Sequence, residues 1–132
     1  MLGMVPLLIV PFLLFNLGLA GVFGAGEDPF ATALFSATMI SRGVWTMSAG
    51  DVLIVLALVL LFVEMMKSTR TSNASIVDHL LSTFVFVAYL VEFLLVRGAA
   101  SAVFFILMVI SLVDVLAGFS VSIRSAGRDV NL

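Results

Sequence analysis

The sequence predicts an all-α membrane protein with four transmembrane helices in a bundle and a short interfacial helix in the first external loop. Hydrophobic residues make up 63% of the 132 residues and charged residues only 11%. Soluble domains are about one quarter charged, so this composition excludes a soluble fold. The apolar residues fall into four runs, each long enough for one membrane crossing of about 20 residues. We therefore expect a single integral-membrane domain over residues 1–132.

The first span is predicted over residues 2–24, which carry no charged side chain. It lacks the positively charged start of a signal peptide, and its apolar run is too long for one. Asn16 is its one strongly polar side chain, and we expect it to form an interhelical hydrogen bond. Gly18 and Gly21 lie on a face of small residues, on which another helix can approach closely.

The interfacial helix is predicted over residues 29–41. Asp28 followed by Pro29 is typical of an N-cap with proline at the first helical position. The apolar segment that follows is too short to cross a bilayer, so we expect it to lie against the bundle. Trp45, just beyond it, is predicted to anchor the loop at the membrane interface.

The other three spans are predicted over residues 51–67, 77–97 and 99–123. Ser48 and Asp51 have the spacing of a capping box at the start of the second span. Glu64 and Lys67 are three residues apart at its end and can pair there. Arg97 and Gly98 make a very short turn between the third and fourth spans, which therefore form an antiparallel hairpin.

The distribution of basic residues predicts the orientation in the membrane. With four spans, one side holds Lys67, Arg70, Arg124 and Arg128, and the opposite side holds Arg42 and Arg97. The side richer in Lys and Arg is normally cytoplasmic, so both termini are predicted in the cytoplasm. The compact chain without targeting segments favours a prokaryotic inner membrane. A net charge of only −2 argues against nucleic acid as a partner.

The third span carries a polar stripe, which gives the first candidate site. Asp78, Ser82, Tyr89 and Glu92 fall on one face of this helix and must contact protein, water or a ligand rather than lipid. The depth of each residue in the helical hairpin predicts a cytoplasmic cluster of Glu64, Asp78, His79, Ser82 and Asp114. One interpretation is a proton or cation site in which Asp114 titrates and His79 relays. The other is a set of interhelical hydrogen bonds. The buried charges have no obvious partners within the chain.

A second candidate site lies toward the outer side, where a ligand or a neighbouring subunit can bind. Its predicted members are Tyr89, Glu92, Arg97 and Arg42. A tyrosine and a carboxylate one turn apart suit a quinone headgroup or a cationic substrate, and equally a docked subunit. In the fourth span, Gly118 belongs to a narrow face of small and polar residues and is predicted to allow helix packing.

The functional prediction is a non-catalytic protein. No metal-ligand spacing, nucleophile motif, phosphate loop or dinucleotide fingerprint occurs, and cysteine is absent. We therefore predict no catalytic residue, metal or cofactor, with a membrane lipid as the one ligand to consider. The leading hypothesis is an accessory, assembly or structural subunit that binds other integral-membrane subunits, or copies of itself, in a larger complex. The alternative is a small proton-coupled transporter or channel, with a path lined by spans three and four through Asp114, His79 and Glu92.

Overall fold

The structure, a computed structural model, describes residues 5–22, 28–67 and 73–130, with the side chains of 73–75 and 121–130 excepted. This part of the chain contains the predicted four helices: α1 (Ile9–Leu19), α2 (Ala49–Lys67), α3 (Asn73–Leu95) and α4 (Ala102–Val130). It also contains two strands, β1 (Ala33–Thr38) and β2 (Val44–Ser48), which form one antiparallel hairpin. Single 3₁₀ turns at Pro29–Ala31 and Arg97–Ala99 lead into β1 and α4.

Three of the described helices are long and apolar enough to cross a membrane. They are α2 over Ala49–Lys67, α3 over Ile76–Leu95 and α4 over Ala102–Ser120. Helix α1 is apolar but has only 11 residues, about 16 Å at 1.5 Å per residue. The described part of the chain is thus mostly helical, with three helices that could span a membrane by length and composition and a shorter apolar fourth.

The first helix is shorter than the span predicted over residues 2–24, of which 2–4 and 23–24 lie outside the described residues. Pro11 has no N–H to donate to the Leu7 carbonyl, so the Val10 N–H donates to it at 3.0 Å in a tighter turn. The other end closes at Gly21, which has φ of +86°, while the Val22 N–H donates to the Leu17 carbonyl. Gly21 therefore ends the helix. The predicted packing contact is not found there among the described residues, since a Cβ on Gly21 would meet none of their atoms within 4 Å.

The helix predicted over residues 29–41 is wrong, because this segment forms a 3₁₀ turn followed by the first strand of a hairpin. Asp28 does cap Pro29–Ala31 by accepting from the Phe30 N–H at 3.1 Å, but that helix ends after one turn. The residues that follow are rich in Thr, Ser and bulky apolar side chains that alternate along the chain, as strands require.

The hairpin turn explains how the two strands meet. The Arg42 N–H donates to the Met39 carbonyl, and the Met39 N–H donates to the Gly43 carbonyl, both at 2.8 Å. Arg42 has φ of +70°, as expected for the last residue of a three-residue hairpin loop. The pairs Phe35–Met47 and Ala37–Trp45 then lie on one face of the sheet.

Helix α4 packs against both α2 and α3 and lies between them. Its Phe104 is fully buried in an aromatic core, close to the end of the helices at which the β-hairpin lies. The ring centroid of Phe104 lies 4.7 Å from that of Phe15 on α1 and 5.4 Å from that of Tyr89 on α3. These contacts join α1, α3 and α4 through a single buried ring.

Phe30 packs against two glycines and so fixes the C-terminal end of α1, near the β-hairpin. Its ring stacks on Phe15 with centroids 4.5 Å apart, and a Cβ on Gly18 would overlap its ring atoms. Gly50 lies under the backbone carbonyl of the same residue. Since Gly18 and Gly50 both contact Phe30, the C-terminal part of α1 lies beside the start of α2.

We predict that Gly18→Val lowers the free energy of unfolding by about 1–3 kcal/mol, the usual cost of overpacking a close contact. Val has a higher helix propensity than Gly, so propensity alone would raise stability and a loss reports the overlap with Phe30. Helical circular dichroism during an SDS titration measures it. In a Phe30→Ala background the same substitution has room and should cost much less; an equal cost in both backgrounds would contradict the packing described.

A buried charged cluster as candidate functional site

Lys67, at the end of α2, is the centre of a buried charged cluster. Its Nζ lies 2.9 Å from Glu64 Oε1 and 3.0 Å from Asp78 Oδ1, so it joins α2 to the start of α3. Glu64 is 2% exposed and Asp78 6%, and the side chain of Lys67 is only 11% exposed. The Glu64–Lys67 pair predicted from their spacing is therefore present, and Asp78 is its third member.

Helix α4 contributes Asp114 to the same place. The Ser82 side chain on α3 hydrogen-bonds the Asp114 carboxyl, and Glu64, Asp78 and Lys67 are all electrostatic neighbours of Asp114. Ser82 and Asp114 are both buried. We call these five residues (Glu64, Lys67, Asp78, Ser82, Asp114) the Lys67 cluster; it joins α2, α3 and α4.

His79, predicted as a member of this cluster, faces a different part of α4. Its ring meets Phe119 edge to face at 4.4 Å between centroids. A Cβ on Gly118 would overlap the His79 ring, so this glycine allows the imidazole to lie close to the α4 backbone. Among the described residues His79 Nε2 has no hydrogen-bond partner. The histidine thus packs one turn beyond Asp114 on α4.

The Lys67 cluster also binds the backbone that leads into α1. Lys67 Nζ donates to the Val5 carbonyl at 2.7 Å, and the Leu7 N–H donates to Glu64 Oε1 at 2.7 Å. Glu64 therefore accepts from a backbone N–H two residues before the first residue of α1. Its negative charge also suits the positive end of the helix dipole. The expectation that the buried charges lack partners within the chain is wrong for Glu64 and Asp78.

The residues of the second predicted site are placed in three different environments. Tyr89 is 1% exposed; its ring lies 5.0 Å from that of Phe12, and its hydroxyl donates to the Leu8 carbonyl at 2.9 Å. Glu92 is half-buried near Asn16 of α1, whose side-chain N–H donates to the Phe12 carbonyl at 2.9 Å within that helix. Its Oε2 atom has no hydrogen-bond partner among the described residues.

The two arginines of that site are exposed and stand apart from Glu92. Arg42 is at the tip of the hairpin and Arg97 begins the 3₁₀ turn before α4. Within the described chain neither arginine forms an ion pair with Glu92. The structure therefore brings Glu92 together with Asn16 rather than with a cation.

An apolar groove of about 480 Å³ lies between α3 and the segment that contains α1. It is lined by Val5, Pro6, Ile9, Phe12, Leu81, Phe84, Val85 and Ala88. No charged side chain lines it, although Val5 also accepts the Lys67 hydrogen bond. The groove is thus suited to an apolar occupant such as a lipid chain.

Comparison with protein families, curated proteins and solved structures finds no match to this chain. Among the described residues, no group of three or more His, Cys, Asp or Glu side chains is placed to hold a metal ion.

Sequence reasoning missed Lys67 as a site residue. The spacing along the sequence predicts Lys67 only as the partner of Glu64 at the end of the second span. The signal that could have found it is composition: it is the only lysine in a chain with three carboxyl groups predicted at the same depth. A lone cation at that depth is the natural partner for all of them.

We predict that Lys67→Met lowers the free energy of unfolding by about 3–5 kcal/mol, because it leaves buried carboxylates without their cation. The same SDS titration measures the loss. Arg97→Met removes one exposed positive charge and serves as the control, with little expected change. If both variants unfold alike, Lys67 does not hold the cluster together.

Proposed function

We propose that this chain is a non-catalytic accessory, assembly or structural subunit of a larger inner-membrane complex. One observation carries the proposal: Lys67 bonds Glu64, Asp78 and the Val5 carbonyl together. The charged groups that sequence analysis offered for chemistry are thus engaged in holding the chain's own segments in place. This use of the buried charges supports a role in assembly better than a role in catalysis.

Helix α2 provides the surface on which such a partner would dock. Val55, Leu58, Val59 and Phe62 follow each other at helical spacing, and each is 48–63% exposed. None of them has a polar atom in its side chain, so a partner helix would bind this stripe by packing alone. Among the helices of spanning length, α2 and α3 bury the smallest share of their apolar window, 22% against 39% for α4.

The contacts of α1 support a fourth membrane crossing. The Val5 carbonyl binds Lys67 at one end of α2, and Gly18 meets Phe30 beside Gly50 at the other. The segment from residue 5 to residue 18 therefore runs beside nearly the whole of α2, although only part of it is helical. With four crossings, both termini lie in the cytoplasm. A membrane lipid is the ligand we propose for the apolar groove.

The test is solubilisation from native membranes in mild detergent, followed by native mass analysis of the particle. We expect a larger integral-membrane partner to be retained. Leu58→Trp places a bulky side chain in the α2 stripe and should release the partner. Leu116→Trp makes the same change at a 55% exposed position on α4 and should retain it. A particle that contains only this chain would contradict the proposal.

A second candidate function, a proton or cation pathway, is favoured by the charge balance of the Lys67 cluster. Three carboxyl groups, on Glu64, Asp78 and Asp114, surround one ammonium group. If all were ionised, the negative charges would exceed the positive one in a buried site, which is costly unless a proton or small cation compensates. Asp114 is the carboxyl without a direct bond to Lys67 in the described contacts, and it is the one that would exchange such a charge.

For this second candidate, we predict that Asp114→Asn abolishes proton or cation flux into proteoliposomes while the protein remains folded. The amide keeps the size of the side chain and its contact with Ser82 but cannot carry the exchanged charge. Asp51→Asn, at the exposed start of α2, is the matched control and should leave flux unchanged. Unaltered flux in Asp114→Asn would exclude a pathway through this residue.

A further inference from the structure

The hairpin formed by residues 33–48 has one apolar face that the described chain leaves exposed. Phe35 and Trp45 lie on this face with ring centroids 5.1 Å apart, and they are 47% and 46% exposed. On the opposite face, the Ser36 and Thr46 hydroxyls hydrogen-bond each other at 2.9 Å. Ile40, at the tip, is fully exposed. The sheet therefore has one apolar face, which the described helices do not cover, and one more polar face, on which Val44 is also 70% exposed.

Both ends of the hairpin lie beside the first residues of α2. Strand β2 ends at Ser48 and α2 begins at Ala49, with no linker between them. The Ser48 N–H donates to Asp51 Oδ2 at 3.1 Å, and the Asp51 N–H donates to Ser48 Oγ at 3.2 Å, so a capping box fixes this junction. On the other side, the Ala49 N–H donates to the Thr32 carbonyl. The base of the hairpin is thus fixed to the first turn of α2.

We propose that the hairpin 33–48 lies on the lipid surface, with its Phe35 and Trp45 face inserted at the boundary between headgroups and acyl chains. The apolar face is then buried, and Ser36 and Thr46 point toward water. Tryptophan prefers this depth. The hairpin cannot go deeper, because the outer edges of a two-stranded sheet carry backbone groups that need water.

The charge of the hairpin identifies the lipid headgroup. Residues 33–48 contain Arg42 and no acidic side chain, and Arg42 is exposed at the tip next to Ile40. A cation beside an inserted apolar side chain suits an anionic headgroup. The occupant of this face is therefore a membrane that contains anionic lipid, and the inference does not depend on the proposed subunit role.

Trp45 is the only tryptophan in the chain, so its emission reports the position of the hairpin directly. The full chain is reconstituted in vesicles of zwitterionic and anionic phosphatidyl lipids, with bromine placed either near the headgroup or near the chain end. We expect the Trp45 emission to be blue-shifted. Bromine near the headgroup should quench its intensity most strongly, and acrylamide in the aqueous phase should quench it little. Emission that acrylamide quenches and bromine does not would overturn the proposal. So would blue-shifted emission insensitive to both quenchers, which indicates a protein contact instead.

Two variants test the parts of the proposal separately. Phe35→Ser should weaken bromine quenching and shift the emission to the red, whereas Thr38→Ser on the polar face should not. Bromine quenching should be weaker in vesicles without anionic lipid, and Arg42→Gln should remove that difference. Quenching that is the same in Phe35→Ser and in the unchanged protein would overturn the assigned face, and a difference that persists in Arg42→Gln would overturn the role of the cation.

Discussion

Backbone groups of residues 5–8, which lead into α1, need hydrogen-bond partners in apolar surroundings, and this constraint determines how the other helices are placed around them. In a membrane, an unpaired N–H or C=O group is costly. Lys67 donates to the Val5 carbonyl, Glu64 accepts from the Leu7 N–H, and Tyr89 donates to the Leu8 carbonyl. Two of these side chains come from α2 and one from α3, so satisfying one short stretch of backbone fixes α1 against both helices.

The two ends of α1 are held by different kinds of interaction. Near residues 5–8 the contacts are charged and directional, and near Gly18 they are aromatic and depend on shape. Directional hydrogen bonds set the position of the segment along α2, since a shift of one residue would break them. Packing of Phe30 on Phe15 sets the distance between α1 and α2, because the Phe30 ring leaves no room for a Cβ at Gly18. Together they position an 11-residue helix beside one of 19 residues.

Much of the helical structure could be predicted from the sequence, because long apolar runs interrupted by polar turns leave few alternatives in a membrane protein. The hairpin could not be found by the same reasoning, because segment 32–48 is also apolar, and only its alternation and the turn at Arg42 separate strand from helix. The proximity of Ser82 and Asp114 followed from counting residues outward from the turn at Gly98. The position of Lys67 between Glu64 and Asp78 depended on how α2 and α3 pack, which residue counting along each helix does not reach.

The hydrogen bonds that complete α1 also impose an order on how the protein is made. Their partners lie 57, 62 and 81 positions further along the chain. The ribosome therefore delivers α1 well before Glu64, Lys67 and Tyr89 leave the exit tunnel, and during that interval its first backbone groups must be hydrated or bound by the insertion machinery. Helix α1 is synthesised before α2 and α3, yet it reaches its final contacts only after both of them have been made.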